Sequence, residues 1–239
     1  MSNIELYNGD CINIMQELID KNIKVDCAIT DPPYNISRET NFSNLKGGSR
    51  YGMDFGEWDK NFDLISWIGS MSKLLKENAN VVIFNCWENL KEIKTACENN
   101  NIIIKRCLVL NKTNPAPFNR DRMFVNDVEF AVWGIYNSKG DPSNWTFNRY
   151  HPVEKCVMNT QVQSSELHPT MKDLFVIKHL VKLLSNENET VLDCFMGSGT
   201  TGVACKEYRR NFIGIEIDKK YFEIAQDRIN KAYYRTRLF

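Results

Sequence analysis

Short apolar runs that alternate with longer segments of helical periodicity constrain the fold of this chain more than any other feature. Several runs are continuously apolar, as expected for strands covered on both faces of a parallel sheet. The predicted strands are Ile4–Tyr7, Val25–Thr30, Val81–Asn85, Ile102–Leu110, Val128–Gly134, Thr190–Asp193 and Asn211–Glu216. The predicted helices are Cys11–Lys21, Phe62–Lys76, Glu88–Asn99, Leu174–Leu184, Thr201–Glu207 and Lys220–Ala232. The alternation predicts an open α/β fold built from βαβ units.

The charge balance and the length of the apolar runs limit the class of partner that this protein can bind. Thirty Lys and Arg residues balance thirty Asp and Glu residues, so the formal net charge is zero. This excludes a histone-like electrostatic binder but leaves room for a nucleic-acid enzyme with a local basic face. No apolar run reaches the length of a membrane span, and the first ten residues lack the pattern of a signal peptide. We therefore expect a cytoplasmic protein with no membrane partner.

The eight cysteines contain no C-x-x-C pair, and the chain has only three histidines. This pattern argues against a zinc fold, and the missing signal peptide argues against a secreted disulfide framework. Most of the cysteines follow or interrupt apolar runs, where a thiol behaves as a small buried hydrophobic group. The sequence therefore predicts no metal site.

Asp31-Pro32-Pro33-Tyr34 directly follows a predicted strand, at the position where open α/β sheets bind ligands. Two prolines fix the backbone and remove two N–H donors, so the carbonyl groups remain free to accept hydrogen bonds. A carboxylate beside a fixed carbonyl suits an amino group with two protons to donate, and a tyrosine ring offers a stacking face. A plain turn between a strand and a helix is the alternative interpretation.

A glycine-rich turn, Asp193-Cys194-Phe195-Met196-Gly197-Ser198-Gly199-Thr200, leads from another predicted strand into a helix. Glycines let the backbone approach a ligand closely, as in nucleotide-binding βα turns. The pattern is neither a P-loop nor the dinucleotide fingerprint. Glu216 ends the next predicted strand, where an acidic side chain can bind two ribose hydroxyls. The turn, its aspartate and this glutamate together predict a nucleotide-like cofactor.

The two motifs and their order resemble the S-adenosylmethionine-dependent amino-methyltransferases that act on DNA. The DPPY motif comes first and the cofactor turn follows about 160 residues later, an order that resembles the β class of bacterial modification methyltransferases. Further segments agree with the resemblance: Asn8–Cys11, Phe55–Asp59, Asn114–Pro117, Glu129–Trp133 and His168–Lys172. The chain is most similar to the small methyltransferases of type IIS restriction–modification systems.

The resemblance implies a Rossmann-like, mostly parallel sheet of the class I methyltransferase type, circularly permuted within one catalytic domain over residues 1–239. It implies that residues 35–59 form a loop at the active site that contacts DNA. It also implies that residues 111–167 form an inserted target-recognition region. From the polar composition alone, both stretches could equally be ordinary solvated or disordered segments.

The resemblance also implies roles for single residues. Asp31 and the Pro32 carbonyl bind the target amino group, Pro33 completes the rigid motif, and Tyr34 stacks on the flipped base. The implied cofactor-binding residues are Asp10, Cys11, Asp31, His168, Thr170, Lys172, Asp193, Phe195, Gly197, Ser198, Gly199, Thr200 and Glu216. Among them, Asp10 and Cys11 lie near the adenine, Glu216 binds the ribose, and His168, Thr170 and Lys172 help to hold the methionine carboxylate. Asp173 stands where the family usually has proline.

The implied reaction is methyl transfer from S-adenosylmethionine to the N6 amino group of adenine in duplex DNA, after the base has flipped out of the stack. Aspartate at the first position of the motif favours adenine in this family, whereas serine more often marks cytosine. Methylation at a cytosine carbon is excluded, because no Pro-Cys dipeptide is present. Methylation of cytosine N4, methylation of RNA adenine, and a binding protein without turnover remain alternatives.

Basic side chains in the two polar stretches are the candidates for DNA contact. They are Arg38, Lys46 and Arg50 in the first stretch, and Lys112, Arg120, Arg122 and Arg149 in the second. Double-stranded DNA is therefore the expected partner. The resemblance also raises a homodimer and a cognate restriction endonuclease that acts on the same site.

Overall fold

The computed structural model describes residues 2–35, 62–115, 124–161 and 171–233. Within these ranges, eight strands form one sheet: β1 Ile4–Asn8, β2 Val25–Thr30, β3 Leu75–Asn85, β4 Ile102–Lys112, β5 Val128–Tyr136, β6 Val157–Thr160, β7 Thr190–Asp193 and β8 Asn211–Glu216. The helices are α1 Cys11–Asp20, α2 Ser66–Leu74, α3 Leu90–Asn99, α4 Leu174–Leu184, α5 Thr200–Glu207 and α6 Lys219–Lys231. A 3₁₀ turn, Trp87–Asn89, precedes α3.

The spatial order of the strands is β1-β8-β7-β2-β3-β5-β4-β6. Only β5 runs antiparallel to its neighbours, β3 and β4, and all other paired strands are parallel. This is the mostly parallel α/β sheet that the sequence predicts, so the predicted fold class is confirmed.

The hydrophobic core lies on both faces of the sheet, because successive residues of a strand point to opposite faces. In β3, Val81 and Ile83 pack in one core with α1, α2 and α3. Val82 and Phe84, which alternate with them, pack in a second core with α4, α5 and α6. In the described part of the chain, helices therefore cover both faces of the sheet, and the ends of the strands are accessible for a ligand.

The predicted strands and helices are all present, and the start of β3 is the largest shift at an element boundary. β3 begins at Leu75 because that residue pairs with Val25 of β2, and the following Lys76 forms a 2.6 Å ion pair with Asp26. The polar sequence after Leu75 conceals this extension, since it contains no apolar run.

One strand, β6, was not predicted. It pairs with β4 at the edge of the sheet, with Val109 opposite Val157, and its sequence alternates too briefly to show a period. Residues 111–167 thus contribute β6 to the edge of the sheet and β5 to its interior. Their role in target recognition stays a prediction.

The polar segment after β5 is hydrogen-bonded to the body of the protein. Buried Asn80 of β3 donates to the carbonyl oxygens of Thr146 and Leu184 at 2.8 and 3.0 Å, and Trp133 Nε1 donates to Asn80 Oδ1 at 2.9 Å. Asn148 N donates to the Leu183 carbonyl at 2.7 Å. This segment is therefore anchored where α4 ends.

Most of the cysteines pack as small apolar side chains, as the sequence predicts. Those buried are Cys11, Cys27, Cys97, Cys194 and Cys205, whereas Cys86 and Cys156 are half-buried and Cys107 is exposed. In the part of the chain that the structure describes, no helix is both long and apolar enough to cross a bilayer.

Gly202 in α5 packs closely against both α6 and β8. A Cβ atom there would lie 2.4 Å from Ile229 Cδ1 and 2.7 Å from Phe212 Cε1. We expect Gly202→Ala to lower the free energy of unfolding by about 1–3 kcal/mol, because the buried neighbours must shift. Gly9→Ala is the matched control, since its Cβ would meet Ile14 at an ordinary 3.4 Å. Urea unfolding followed by circular dichroism measures both, and equal midpoints would contradict the packing argument.

Candidate active site at the carboxyl ends of the strands

The two sequence motifs meet where β2 and β7 lie side by side. Asp31 follows the last residue of β2, and Asp193 is the last residue of β7. Thr30 Oγ1 donates a 2.9 Å hydrogen bond to Asp193 Oδ1, which joins the two strand ends. From this point the chain continues toward β3 on one side and β8 on the other. Open α/β sheets bind ligands in the crevice at such a switch point.

The glycine turn after β7 has the backbone geometry that its sequence indicates. Gly197 and Gly199 have φ angles of 50° and 80°, in the left-handed region that glycine adopts without strain. At Gly199 a side chain would also meet Ala225 of α6, with the Cβ atoms 2.9 Å apart. Arg228 of α6 donates to Ser198, both at the carbonyl oxygen and, at 2.7 Å, at Oγ. The turn is therefore held in one shape.

Glu216 joins β8 to the same turn. Its Oε2 accepts a hydrogen bond from Gly197 N at 2.9 Å, and its Oε1 accepts one from Asp218 N at 2.8 Å. Burial raises the pKa of this carboxyl, although the backbone N–H groups oppose the shift. Each oxygen keeps a further lone pair, so the carboxylate can still accept from a ligand hydroxyl.

Asp10 and Cys11 lie beside the end of β8, as expected for residues near the same ligand. Gly9 N and Asn8 Nδ2 both donate to the Glu216 carbonyl, at 3.0 and 2.8 Å. Asp10 caps α1 by accepting from Asn13 N at 3.0 Å. Burial raises the pKa of the Cys11 thiol to about 12, so this side chain stays neutral.

Asp193 is buried and carries an unusual protonation equilibrium. Burial raises the pKa of this carboxyl to about 7. Hydrogen bonds from Thr201, Phe195 N and Thr30 counter the shift, and the nearby charge of Asp31 adds to it. Around neutral pH the site therefore contains a carboxyl group that readily gains or loses a proton.

The DPPY segment is fixed at both of its ends. Tyr34 OH donates to Asp31 Oδ1 at 2.6 Å. Burial and the neighbouring Asp31 carboxylate hold the pKa of Tyr34 well above its ordinary value, so the phenol keeps the proton that it donates. At the other end, Asn89 Nδ2 donates to the Tyr34 carbonyl at 2.8 Å and to Asn85 Oδ1 at 2.7 Å.

The Lys172 side chain contacts the DPPY segment. Its ammonium lies 2.6 Å from Asp31 Oδ2 and 3.5 Å from Glu129 Oε2. Lys112 pairs with the other oxygen of Glu129 at 2.8 Å. Burial opposes the charge of Glu129, but the two lysines outweigh it and hold its pKa at about 2. The four side chains form a cluster of alternating charge.

Phe195 fills the space between the two motifs and the first helical layer. Its ring meets Phe62 and Trp67 edge-on, with centroids 5.4 and 5.0 Å apart. Such edge-to-face contacts fix the ring direction.

The structure gathers some predicted site residues and separates others. Arg149 follows Asn148, which is hydrogen-bonded to the end of α4, whereas Lys172 and its partner Asp31 lie at the start of that helix. His168, Thr170, Arg38, Lys46, Arg50, Arg120 and Arg122 lie outside the described residues. Among the described residues no cluster of three metal-ligating side chains occurs.

Asn85, Asn89 and Glu129 also contact this site, and none of them was predicted as a site residue. A polar residue that ends an apolar run beside the DPPY strand was the available signal for Asn85. Asp173, which departs from the family's proline, caps α4 by accepting from Phe175 N at 2.8 Å. It also accepts from Thr160 Oγ1 at 3.0 Å, so it ties α4 to the end of β6.

An α/β sheet with a glycine turn after one strand, acidic residues at the strand ends and a DPPY segment defines a Rossmann-like methyltransferase domain. The model of the N6/N4 DNA methylase family matches residues 25–227. The chain is 30% identical over 247 residues to the type II methyltransferase M2.LlaDCHI of Lactococcus lactis subsp. cremoris, covering 96% of this chain and 90% of the relative. It is 28% identical over 250 residues to the type II methyltransferase M.HinfI of Haemophilus influenzae, covering 95% and 68%.

Solved structures agree with this assignment. The M1.HpyAVI–SAM complex superposes with a TM-score of 0.77 at 35% identity, covering 95% of this chain and 99% of the other. The cytosine-N4-specific PvuII DNA methyltransferase shares the fold, with a TM-score of 0.69 at 14% identity over 100% and 89% of the chains. This chain therefore belongs to the DNA methylase family. The predicted resemblance to S-adenosylmethionine-dependent DNA methyltransferases of restriction–modification systems is confirmed.

The raised pKa of Asp193 predicts how stability depends on pH. Because the folded state favours the protonated carboxyl, ionisation of Asp193 opposes folding as the pH rises from about 3.8 to about 7. Asp193→Asn cannot ionise, so its free energy of unfolding should rise relative to wild type across that window, by at most about 4 kcal/mol. Urea titrations at several pH values measure this difference, with exposed Asp141→Asn as the background. A difference that does not change with pH would contradict the assignment.

Proposed function

We propose that this protein is a site-specific DNA methyltransferase that methylates the N6 amino group of adenine in duplex DNA. The observation that carries the proposal is the hydrogen bond that joins the ends of β2 and β7, the two strands after which the motifs begin. Asp31, which would accept the target amino group, lies one residue from Thr30, whose hydroxyl is bonded to Asp193 at the start of the glycine turn. A target amino group and a methyl donor can therefore be held side by side at the carboxyl ends of β2 and β7.

The DPPY segment supplies the acceptors that this reaction needs. The lone pair of an exocyclic amino nitrogen is delocalised into the ring, so the nitrogen attacks poorly in the free base. The Asp31 carboxylate and the Pro32 carbonyl can each accept a hydrogen bond from one of its two N–H groups and favour a pyramidal nitrogen whose lone pair is available. The hydrogen bond from Tyr34 OH fixes the ring beside that carboxylate. The base must leave the DNA stack to reach this pocket.

The residues at the glycine turn fit S-adenosylmethionine. When bound, the cofactor supplies an electrophilic methyl group on a sulfonium. The left-handed turn at Gly197 and Gly199 leaves no side chain between backbone and ligand. The Glu216 carboxylate stands at the end of β8 with lone pairs for ribose hydroxyls. Asp10 lies close to the end of β8 and is the proposed contact for the adenine of the cofactor.

Adenine is proposed because aspartate begins the motif, as in the adenine enzymes that the sequence resembles. Cytosine presents a chemically similar exocyclic amino group, and the same two acceptors would bind it. Purified protein should be incubated with S-adenosylmethionine and mixed-sequence duplex DNA, which is then digested to nucleosides for mass spectrometry. N6-methyladenine is the expected product. N4-methylcytosine would overturn the choice of base, and methylation of RNA but not DNA would overturn the substrate.

Asp31→Asn tests the amino-group clamp, which is the pair of acceptors formed by the Asp31 carboxylate and the Pro32 carbonyl. The variant keeps the size of the side chain but places an N–H group where an acceptor is needed. We expect kcat to fall by about 10²–10³-fold, as when one electrostatic partner of a transition state is removed. Affinity for S-adenosylmethionine, measured by calorimetry, should stay within about threefold of wild type. Wild-type turnover would exclude the proposed role, and Asp20→Asn, an exposed aspartate at the end of α1, should leave both quantities unchanged.

Glu216→Gln tests the cofactor side. Its side chain can still accept at one oxygen, but it loses the charge and one acceptor that two ribose hydroxyls require. We expect the dissociation constant of S-adenosylmethionine to rise by about tenfold or more, the worth of one charged hydrogen bond. Exposed Glu98→Gln in α3 is the control. Unchanged affinity together with lost turnover would place Glu216 outside the cofactor site.

Several finer points belong to the same proposal. The segments 35–59 and 111–167 are proposed to contact DNA, with Arg38, Lys46, Arg50, Lys112, Arg120, Arg122 and Arg149 as candidate contacts. His168 and Thr170 stay predicted cofactor residues. A cytoplasmic location, a homodimer and a cognate restriction endonuclease also stay predictions.

A further inference from the structure

A cluster of four charged side chains lies at the entrance of the DPPY segment. In order of contact, Lys112 pairs with Glu129, Glu129 with Lys172, and Lys172 with Asp31, at 2.8, 3.5 and 2.6 Å. Two lysines and two carboxylates balance one another. The Lys172 side chain is 11% exposed and is the most buried of the four.

We propose that Lys172, held by Glu129, is a positioning residue of the amino-group clamp that fixes the Asp31 carboxylate for the target base. This role rests on the proposed function. It differs from the place near the methionine carboxylate that the sequence resemblance implies for Lys172. It also gives a role to Glu129, which the resemblance includes only as part of the segment Glu129–Trp133.

The two oxygens of Asp31 are held by different donors. Tyr34 OH donates to Oδ1 and the Lys172 ammonium donates to Oδ2, both at 2.6 Å. The terminal torsion of an aspartate is soft, so a carboxylate with one donor can turn, whereas one with a donor on each oxygen is fixed. Each oxygen keeps a second lone pair. An incoming amino group therefore meets an acceptor that is already oriented, which is the condition for efficient transfer.

Lys172 cannot easily leave this position. Its ammonium lies 5.3 Å from the centroid of the Tyr34 ring and 5.5 Å from that of Phe84, within the range of cation–π attraction. Burial alone would favour the neutral amine. The carboxylates of Asp31 and Glu129 outweigh burial and hold the pKa of Lys172 well above its ordinary value. The side chain therefore stays charged beside the acceptor.

Glu129 is placed by a rigid element. It lies in β5, where it is paired with Leu110 of β4 in the sheet. Lys112, at the end of β4, binds Oε1, which leaves Oε2 to face Lys172. Without the charge of Glu129, Lys172 would keep one carboxylate instead of two, and its long side chain would gain freedom. Among the described ion pairs, Glu129 is connected to Asp31 through Lys172.

The test compares Lys172→Met, Lys172→Arg and Glu129→Gln by steady-state kinetics on mapped duplex DNA and by calorimetry with S-adenosylmethionine. For Lys172→Met we expect kcat to fall by at least about 30-fold. The cofactor dissociation constant and the KM for DNA should stay within about threefold of wild type, because the lost interaction orients Asp31 and binds neither substrate. Lys172→Arg, which keeps the charge and donors, should recover part of kcat.

The double variant tests the order of action. Glu129→Gln alone should lower kcat by about fivefold. The double variant Glu129→Gln/Lys172→Met should be no slower than Lys172→Met, since a residue that acts through another adds nothing once that other is gone. The matched control is Lys178→Met, which removes a similarly buried 2.7 Å ion pair with Glu207 away from the clamp. It should keep wild-type kcat.

Three outcomes would overturn the role. A cofactor affinity at least tenfold weaker with kcat retained would return Lys172 to the methionine carboxylate. A multiplicative loss in the double variant would mean that Glu129 acts independently. Thermal unfolding shows whether Lys172→Met is folded. If it is not, wild-type kcat in both Glu129→Gln and Lys172→Arg would overturn the proposal. Failure of the wild-type protein to methylate DNA would instead overturn the proposed function itself, and with it this role.

Discussion

The hydrogen bond from Thr30 Oγ1 to Asp193 Oδ1 connects the last residues of two parallel strands that are distant in sequence. The amino-group motif starts at the next residue after Thr30, and the glycine turn starts after Asp193. Because both strands are buried between two helical layers, their ends cannot move apart without disturbing both cores. The distance between acceptor and cofactor turn therefore depends on the sheet rather than on the loops.

This same hydrogen bond separates two regions of different electrostatic character at the carboxyl ends of the strands. On the cofactor side, Asp193 and Glu216 are held mainly by hydroxyl and backbone N–H donors, and burial raises the pKa of both. On the clamp side, lysines hold Asp31 and Glu129. Among the described residues no lysine pairs with Asp193 or Glu216, which suits a ligand that brings its own positive charge, as a sulfonium does. The side with lysines suits a neutral amino group that needs a fixed acceptor.

The sequence predicted the elements of this site better than their contacts. Periodicity located the strands, and the motifs located Asp31, Tyr34, Asp193 and Glu216, because these features are local. The resemblance assigns Lys172 to the methionine carboxylate, and that role stays a prediction. Its contact with Asp31 was not predicted, because a motif does not reveal which side chain its lysine will meet. The contact with Asp31 depends on how α4, β2 and β5 converge, which is a tertiary property. β6 was not predicted because a four-residue strand at a sheet edge is too short to show the alternation of apolar and polar residues that marks a strand.

The strand order also has a consequence for synthesis of the chain. β5 lies between β3 and β4 but is synthesised after both of them. β7 lies between β2 and β8 and is synthesised after β2. Until Tyr136 has been made, β3 and β4 cannot join the same sheet, and β2 keeps one open edge until Asp193 follows. Pairings between such distant segments form slowly and leave strand edges exposed to other chains. The arrangement that brings the two motifs together therefore delays completion of the sheet until most of the polypeptide has left the ribosome.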